Sequence, residues 1–227
     1  MRFICKKGVA LLFMACVSVL SAQGNESRIG QWWKQLFDRN KVKEVTINIQ
    51  ELTLDENIAV PEIVSPYAAR KIRELARDEI KRLQKVKGIS VTSERDGEVM
   101  KAVIPMESLF LPNDTLLWER AQYSLRPFAK YIARPDMFHM LIVTHSDGTG
   151  SAEYNLNLTD RRAQEIRKWF IDNGGAEEMI AIYGCGAEDP VAGNNSIENR
   201  RRNRRTDIYI VPGNALIKQA ERGKIDF

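Results

Sequence analysis

His145-Ser146-Asp147-Gly148-Thr149-Gly150-Ser151-Ala152-Glu153-Tyr154-Asn155-Leu156-Asn157-Leu158-Thr159-Asp160-Arg161-Arg162-Ala163 joins an apolar run to an amphipathic one. Met140 to Thr144, just before it, reads as a short buried strand. Beyond it, Ala163, Ile166 and Phe170 recur at helical spacing, and Gly174-Gly175 closes the run. Thr159 suits the N-cap of that helix, which would set Arg162 in the first turn. Asp147 then ends a strand and Arg162 opens a helix. An acid and a base on neighbouring element ends can grip a ligand that carries both an ammonium and a carboxylate.

The same alternation extends on both sides. Met179 to Tyr183 and Thr206 to Val211 read as strands, the second stopped by Pro212-Gly213. Val99 to Phe110 is extended but interrupted by Pro105, which suits an edge or irregular strand. Asp114 or Thr115 caps a helix running to Ile132, with Leu117, Ala121, Leu125, Phe128 and Ala129 on one face; Pro127 should kink or divide it. The order strand, helix, strand, helix, strand, strand points to an α/β (α+β) layer fold with helices packed on one sheet. Upstream, Tyr67 to Val86 carries Ile72, Leu75, Ala76, Ile80, Leu83 and Val86 as a helical stripe, with Ser65 as its cap. Its other faces are basic. Val45 to Ile49 alternates like a short strand, and Trp32, Trp33, Leu36 and Phe37 form an amphipathic stretch.

The 227 residues suffice for one ordinary domain with an extension, and 44% apolar with 28% charged residues is a globular composition. Arg2, Lys6 and Lys7 precede the apolar run Gly8 to Leu20, with Ser21-Ala22-Gln23 after it. This reads as a secretory signal peptide cut after Ala22, too short for a membrane span. Its removal brings the formal net charge of +4 close to neutral. Cys5 and Cys16 leave with it, unless Cys16 is lipidated, and Cys185 remains as a single thiol. The expected organisation is 1–22 signal, 23–87 a small, mostly helical N-terminal module, 88–213 the main domain and 214–227 a tail.

Each candidate residue has two readings. Arg162 near a helix N-terminus is disfavoured by the macrodipole unless an anion offsets it, and Asp160 with solvent supplies one answer. The other is a carboxylate seat. Asp147 either makes a local turn bond or faces a ligand at the carboxyl end of a strand. The bases Arg200, Arg201, Arg202, Arg204 and Arg205 would suit nucleic acid in a cytosolic chain, but the signal peptide argues against that partner. Consecutive His145, Ser146 and Asp147 alternate in direction and cannot converge as a triad. His139 and His145 are spread along one strand and the chain lacks further zinc ligands, so neither metal nor cofactor is expected.

From about Val91 to Val211 the chain resembles the OmpA-like (OmpA/MotB C-terminal) peptidoglycan-associating domain family. The resemblance is carried by Leu109-Phe110, His145-Ser146-Asp147 with Gly150, Tyr154-Asn155, Leu158-Thr159, Arg162-Ala163, Gly184, Gly186, Pro190, Arg200 and Asn203-Arg204-Arg205. It implies a β-α-β-α-β-β domain that binds the diaminopimelate-containing stem peptide of peptidoglycan without catalysis. Asp147 would hold the ammonium and Arg162 the carboxylate. Asn155, Leu158 and the loop from Phe110 to Asn113 would shape the groove, and Arg204 would lie beside it. Thr144 and Ser146 depart from the family's Gly-His-Thr-Asp motif, and Leu111-Pro112 stand where an acid is frequent. A β-barrel needs eight or more spanning strands, which residues 23–87 cannot supply. The expected setting is therefore the periplasm, wall-associated and near the outer membrane, with an envelope protein as possible partner of residues 23–87. The alternative is a structural subunit of a secretion or motility assembly, its OmpA-like domain making protein contacts.

Overall fold

The computed structural model describes residues 48–134 and 136–227. In chain order these run α1 (Leu54–Ala59), α2 (Pro66–Leu83), β1 (Ser90–Glu94), β2 (Val99–Pro105), α3 (Ala121–Ile132), β3 (Phe138–His145), α4 (Ala152–Asp172), β4 (Ile180–Gly184), α5 (Ile197–Asn203), β5 (Arg205–Pro212) and α6 (Asn214–Glu221). The signal segment, the tryptophan stretch and residues 45–47 of the expected first strand lie outside the described residues.

Period-two alternation gives the sheet two different faces. Strand order is β1-β2-β5-β3-β4, antiparallel throughout except for the parallel pair β3–β4. Register sets Val91, Ala102, Ile208, Ile142 and Ile182 in one row across all five strands. That face packs against Ile72 and Leu83 of α2, Leu125 and Phe128 of α3, Ile166 and Phe170 of α4, and Leu216 of α6. Each such fully buried side chain contributes about 2 kcal/mol. The opposite face carries Leu141, Val143, Tyr183, Tyr209 and Val211, with Leu54 and Ile58 of α1 packed against it.

The expected order β-α-β-α-β-β is followed by β2-α3-β3-α4-β4-β5, except that the short helix α5 intervenes between β4 and β5, and β1 is added as a hairpin partner of β2. Helix α2 starts at its expected cap, where the Ser65 hydroxyl accepts the Ala68 N–H. It packs on α6, so the packed unit takes in segments read as flanking, 23–87 in its described part and 214–227.

Several expectations need correction. Helix α4 begins at Ala152 rather than Thr159, because the Ser151 side chain caps it by accepting the Tyr154 N–H at 3.1 Å. Arg162 is thus about three turns inside the helix, and the macrodipole argument for it lapses. Strand β2 is interior rather than an edge; Pro105, which has no N–H to give, ends it opposite Arg205. Helix α3 begins at Ala121 because Asp114 Oδ1 accepts the N–H groups of Thr115 and Leu116 in a turn, and Phe110 bridges Leu117. Pro127 lies inside α3 without dividing it.

Candidate functional site

The carboxyl end of β3, the amino end of β5 and the face of α4 that carries Asn155, Leu158 and Arg162 meet at one corner of the sheet. Thr159, mid-helix, explains why α4 sits so close. Its hydroxyl donates to Asn155 O at 2.8 Å and accepts the Gly186 N–H at 2.9 Å, while Thr144 Oγ1 donates to its carbonyl at 2.6 Å. Gly184 permits the approach, since a Cβ there would stand 2.5 Å from the Asp160 backbone nitrogen. Gly186, at φ +50°, adopts the left-handed turn beyond it.

The cleft at this corner has a volume of about 320 Å³ and is lined by all seven expected residues: Phe110, Asn113, Asp147, Asn155, Leu158, Arg162 and Arg204. Met106, Glu107, Thr149 and Tyr154 line it too and were not expected. The spacing Asp147-x-Thr149 was the available signal for Thr149, because an aspartate in a turn bonds the backbone two residues on.

Asp147 makes the local turn bond and also lines the cleft. Its Oδ1 accepts the Thr149 N–H at 2.8 Å and the Thr149 hydroxyl, and its Oδ2 accepts from Arg204 Nη1 at 2.5 Å. Burial opposes the carboxylate charge, but the hydrogen bonds from Thr149 and Arg204 outweigh it and hold the group below the usual aspartate range. The side chain is 7% exposed and that of Arg204 is 37% exposed, so the arginine is the movable member of the pair. Asn155 Nδ2 donates to Thr149 O at 2.8 Å and pins the turn to α4. Behind it, Asn194 Oδ1 accepts from Gly148 N at 2.9 Å and from Asn203 Nδ2 at 3.0 Å.

Arg162 is held differently. Its Nε donates to Asp114 O at 2.8 Å, and its guanidinium lies 5.1 Å over the Phe110 ring. Burial lowers its pKa, opposed by Tyr154 and Asp114, yet a guanidinium stays charged. Among the described residues no carboxylate forms an ion pair with it. Asn113, in the left-handed region at φ 60°, turns the loop that carries Phe110 and Asp114. Leu111 and Pro112 of that loop also line the cleft. A buried cation that lines the cleft without a carboxylate partner, beside an acid already bridged by a second arginine, is equipped to take an anion.

His145 turns to the opposite face of the sheet. It is buried 3.6 Å from Asp207, which Arg205 and Lys101 also contact. Burial lowers the His145 pKa, and burial of Asp207 is outweighed by His145, Arg205 and Lys101, holding that carboxyl at about 2. Among the described residues no group of three or more His, Cys, Asp or Glu could hold a metal ion.

The family model described as the OmpA family matches residues 109–204. These residues are an OmpA-family domain. The OmpA-family segment contains every expected cleft residue, while β1 and β2 precede it and β5 follows. Outer membrane protein A of Bordetella avium is 29% identical over 111 residues, covering 49% of this chain and 57% of that protein. The peptidoglycan-binding protein ArfA of Mycobacterium tuberculosis is 35% identical over 81 residues, covering 36% of this chain and 24% of that protein. The chain thus spans little more than half the length of the first of these relatives and about a quarter of the second. A solved MotB-like protein from Desulfovibrio vulgaris superposes with a TM-score of 0.55 at 24% identity, covering 63% of this chain and 95% of that one. That likeness establishes the fold.

Proposed function

We propose that the chain docks non-covalently onto peptidoglycan, on the periplasmic side of the outer membrane, by gripping the diaminopimelate of a stem peptide in the cleft at Asp147 and Arg162. The observation that carries this reading is that an acid and a buried arginine with no carboxylate partner among the described residues line the same cleft. Arg162 would take the ligand carboxylate through its remaining N–H groups, a charge-assisted contact. The ligand ammonium would share Asp147 with Arg204, whose exposed side chain can give way. Asn155, Leu158, Phe110 and Asn113 would frame the head group. The relatives' names, an outer-membrane protein and a peptidoglycan-binding protein, support the setting. Neither histidine belongs to the cleft lining, and the acid and base serve as binding groups, so the reading is a binding module and not a catalyst.

The test is retention on purified diaminopimelate-type sacculi. Asp147→Ala and Arg162→Ala should each lower the affinity by about tenfold or more, the effect of deleting a charged hydrogen-bond partner. Wild-type retention by both variants would overturn the reading.

A further inference from the structure

A second cleft, of about 550 Å³, adjoins the first and is lined by five cations, Lys101, Arg201, Arg202, Arg204 and Arg205, with no acidic side chain in its lining. Two observations tie it to the first cleft. Arg204 lines both. Glu107, which lines the first, forms an ion pair at 2.6 Å with Arg201, which lines the second. The clefts therefore share a wall.

Four of the five cations already have acids. Lys101 and Arg205 contact Asp207, Arg201 contacts Glu107 and Arg204 contacts Asp147. Arg202 is exposed and forms no ion pair among the described residues. Below these charges the surface is apolar, formed by Ile89, Val103, Pro105 and half-exposed Val191. This combination suits a carboxylate flanked by small apolar groups.

We propose that the second cleft is a subsite for a further carboxylate of the ligand held in the first, with Arg202 as the principal cation and alanyl methyl groups against the apolar floor. The inference rests on the stem-peptide reading of the first cleft. It adds that recognition extends past the diaminopimelate head group and across Arg204. Phosphate-free wall peptides carry such carboxylates, so charge complementarity and continuity with the first cleft both favour the same occupant.

Calorimetric titration of the full chain with two probes separates the claims: free diaminopimelate, and the alanyl-glutamyl-diaminopimelate tripeptide. Wild type should bind the tripeptide at least about tenfold more tightly. Arg202→Glu and Ser90→Glu each place a negative charge in the lining of the second cleft at an exposed position. Each should weaken tripeptide binding about fivefold or more and leave diaminopimelate binding unchanged. If both variants bind the tripeptide like wild type while Asp147→Ala loses both probes, the subsite is refuted and the first cleft stands. Equal weakening toward both probes would also refute a subsite, since it reports only the general field. If wild type binds neither probe, the reading of the first cleft fails and this one with it.

Discussion

Arg162 is placed by its geometry, and charge alone would not place it. One N–H is committed to the Asp114 carbonyl at 2.8 Å and the guanidinium carbon lies 5.1 Å from the Phe110 ring centre, with the outer nitrogens left to the cleft. A lysine ammonium could keep the charge but cannot bond the carbonyl, sit against the ring and present a planar fork together. Arg162→Lys should therefore bind stem peptide about tenfold more weakly than wild type, measured by titration at fixed salt. Undiminished affinity would mean that a point charge suffices and that the Asp114 and Phe110 contacts are incidental. Asp147 gives the complementary expectation for pH. Its pKa is depressed, so the charged form seen at neutral pH persists on acidification, and binding that depends on it fails only below the ordinary aspartate value of about 3.9.

At the scale of the elements, the approach of α4 to the end of β4 decides whether the cleft exists. An alanine Cβ at position 184 would meet Asp160 backbone atoms at 2.5 and 2.7 Å, and backbone cannot rotate away as a side chain can. Gly184→Ala should cost about 1 to 3 kcal/mol, the usual effect of overpacking. In a chain of this size that lowers Tm by several degrees in a thermal melt. An unchanged melting temperature would mean that α4 shifts without penalty. The same contact explains what could be read beforehand. Strands β3, β4 and β5 were legible because their residues are buried on both faces and form apolar runs, and the cleft residues were legible through their spacing. The start of α4 was not, because Tyr154, Leu156 and Asn157 are exposed and gave no apolar stripe to mark the first turns. Thr159 resembled a cap because its hydroxyl does bond backbone, but to carbonyls one turn back and to Gly186, not to its own helix start. Strand β1, with mostly exposed polar residues, and α1, six residues long, were too short and polar to register.

Over the whole molecule, the back face of the sheet concentrates buried polar groups that respond to acid. His139 Nε2 lies 3.4 Å from the Asn57 carbonyl of α1. Asn57 Nδ2 donates to Ile49 O at 2.6 Å and to the Tyr183 hydroxyl at 2.5 Å, and Tyr183 donates to Leu52 O at 2.9 Å. Burial pushes His139 down to about 4; the bond to Asn57 opposes that fall and the charge of Arg95 adds to it. In the unfolded chain the ring titrates near 6.5. Between those values the unfolded chain takes up a proton that the fold refuses, so stability is full above about 6.5 and falls as pH drops toward 4. The loss approaches about 3 kcal/mol. Asp207, held at about 2, adds its own loss only below the ordinary aspartate value and so does not contribute to this window. His145, also buried and lowered, acts in the same direction as His139. Urea unfolding at pH 7, 5.5 and 4.5 should report the decline, and His139→Gln, which keeps a donor toward Asn57 but cannot titrate, should flatten it. A slope that survives in His139→Gln and in His145→Gln alike would place the acid sensitivity away from the sheet's back face and dissociate it from the α1 segment.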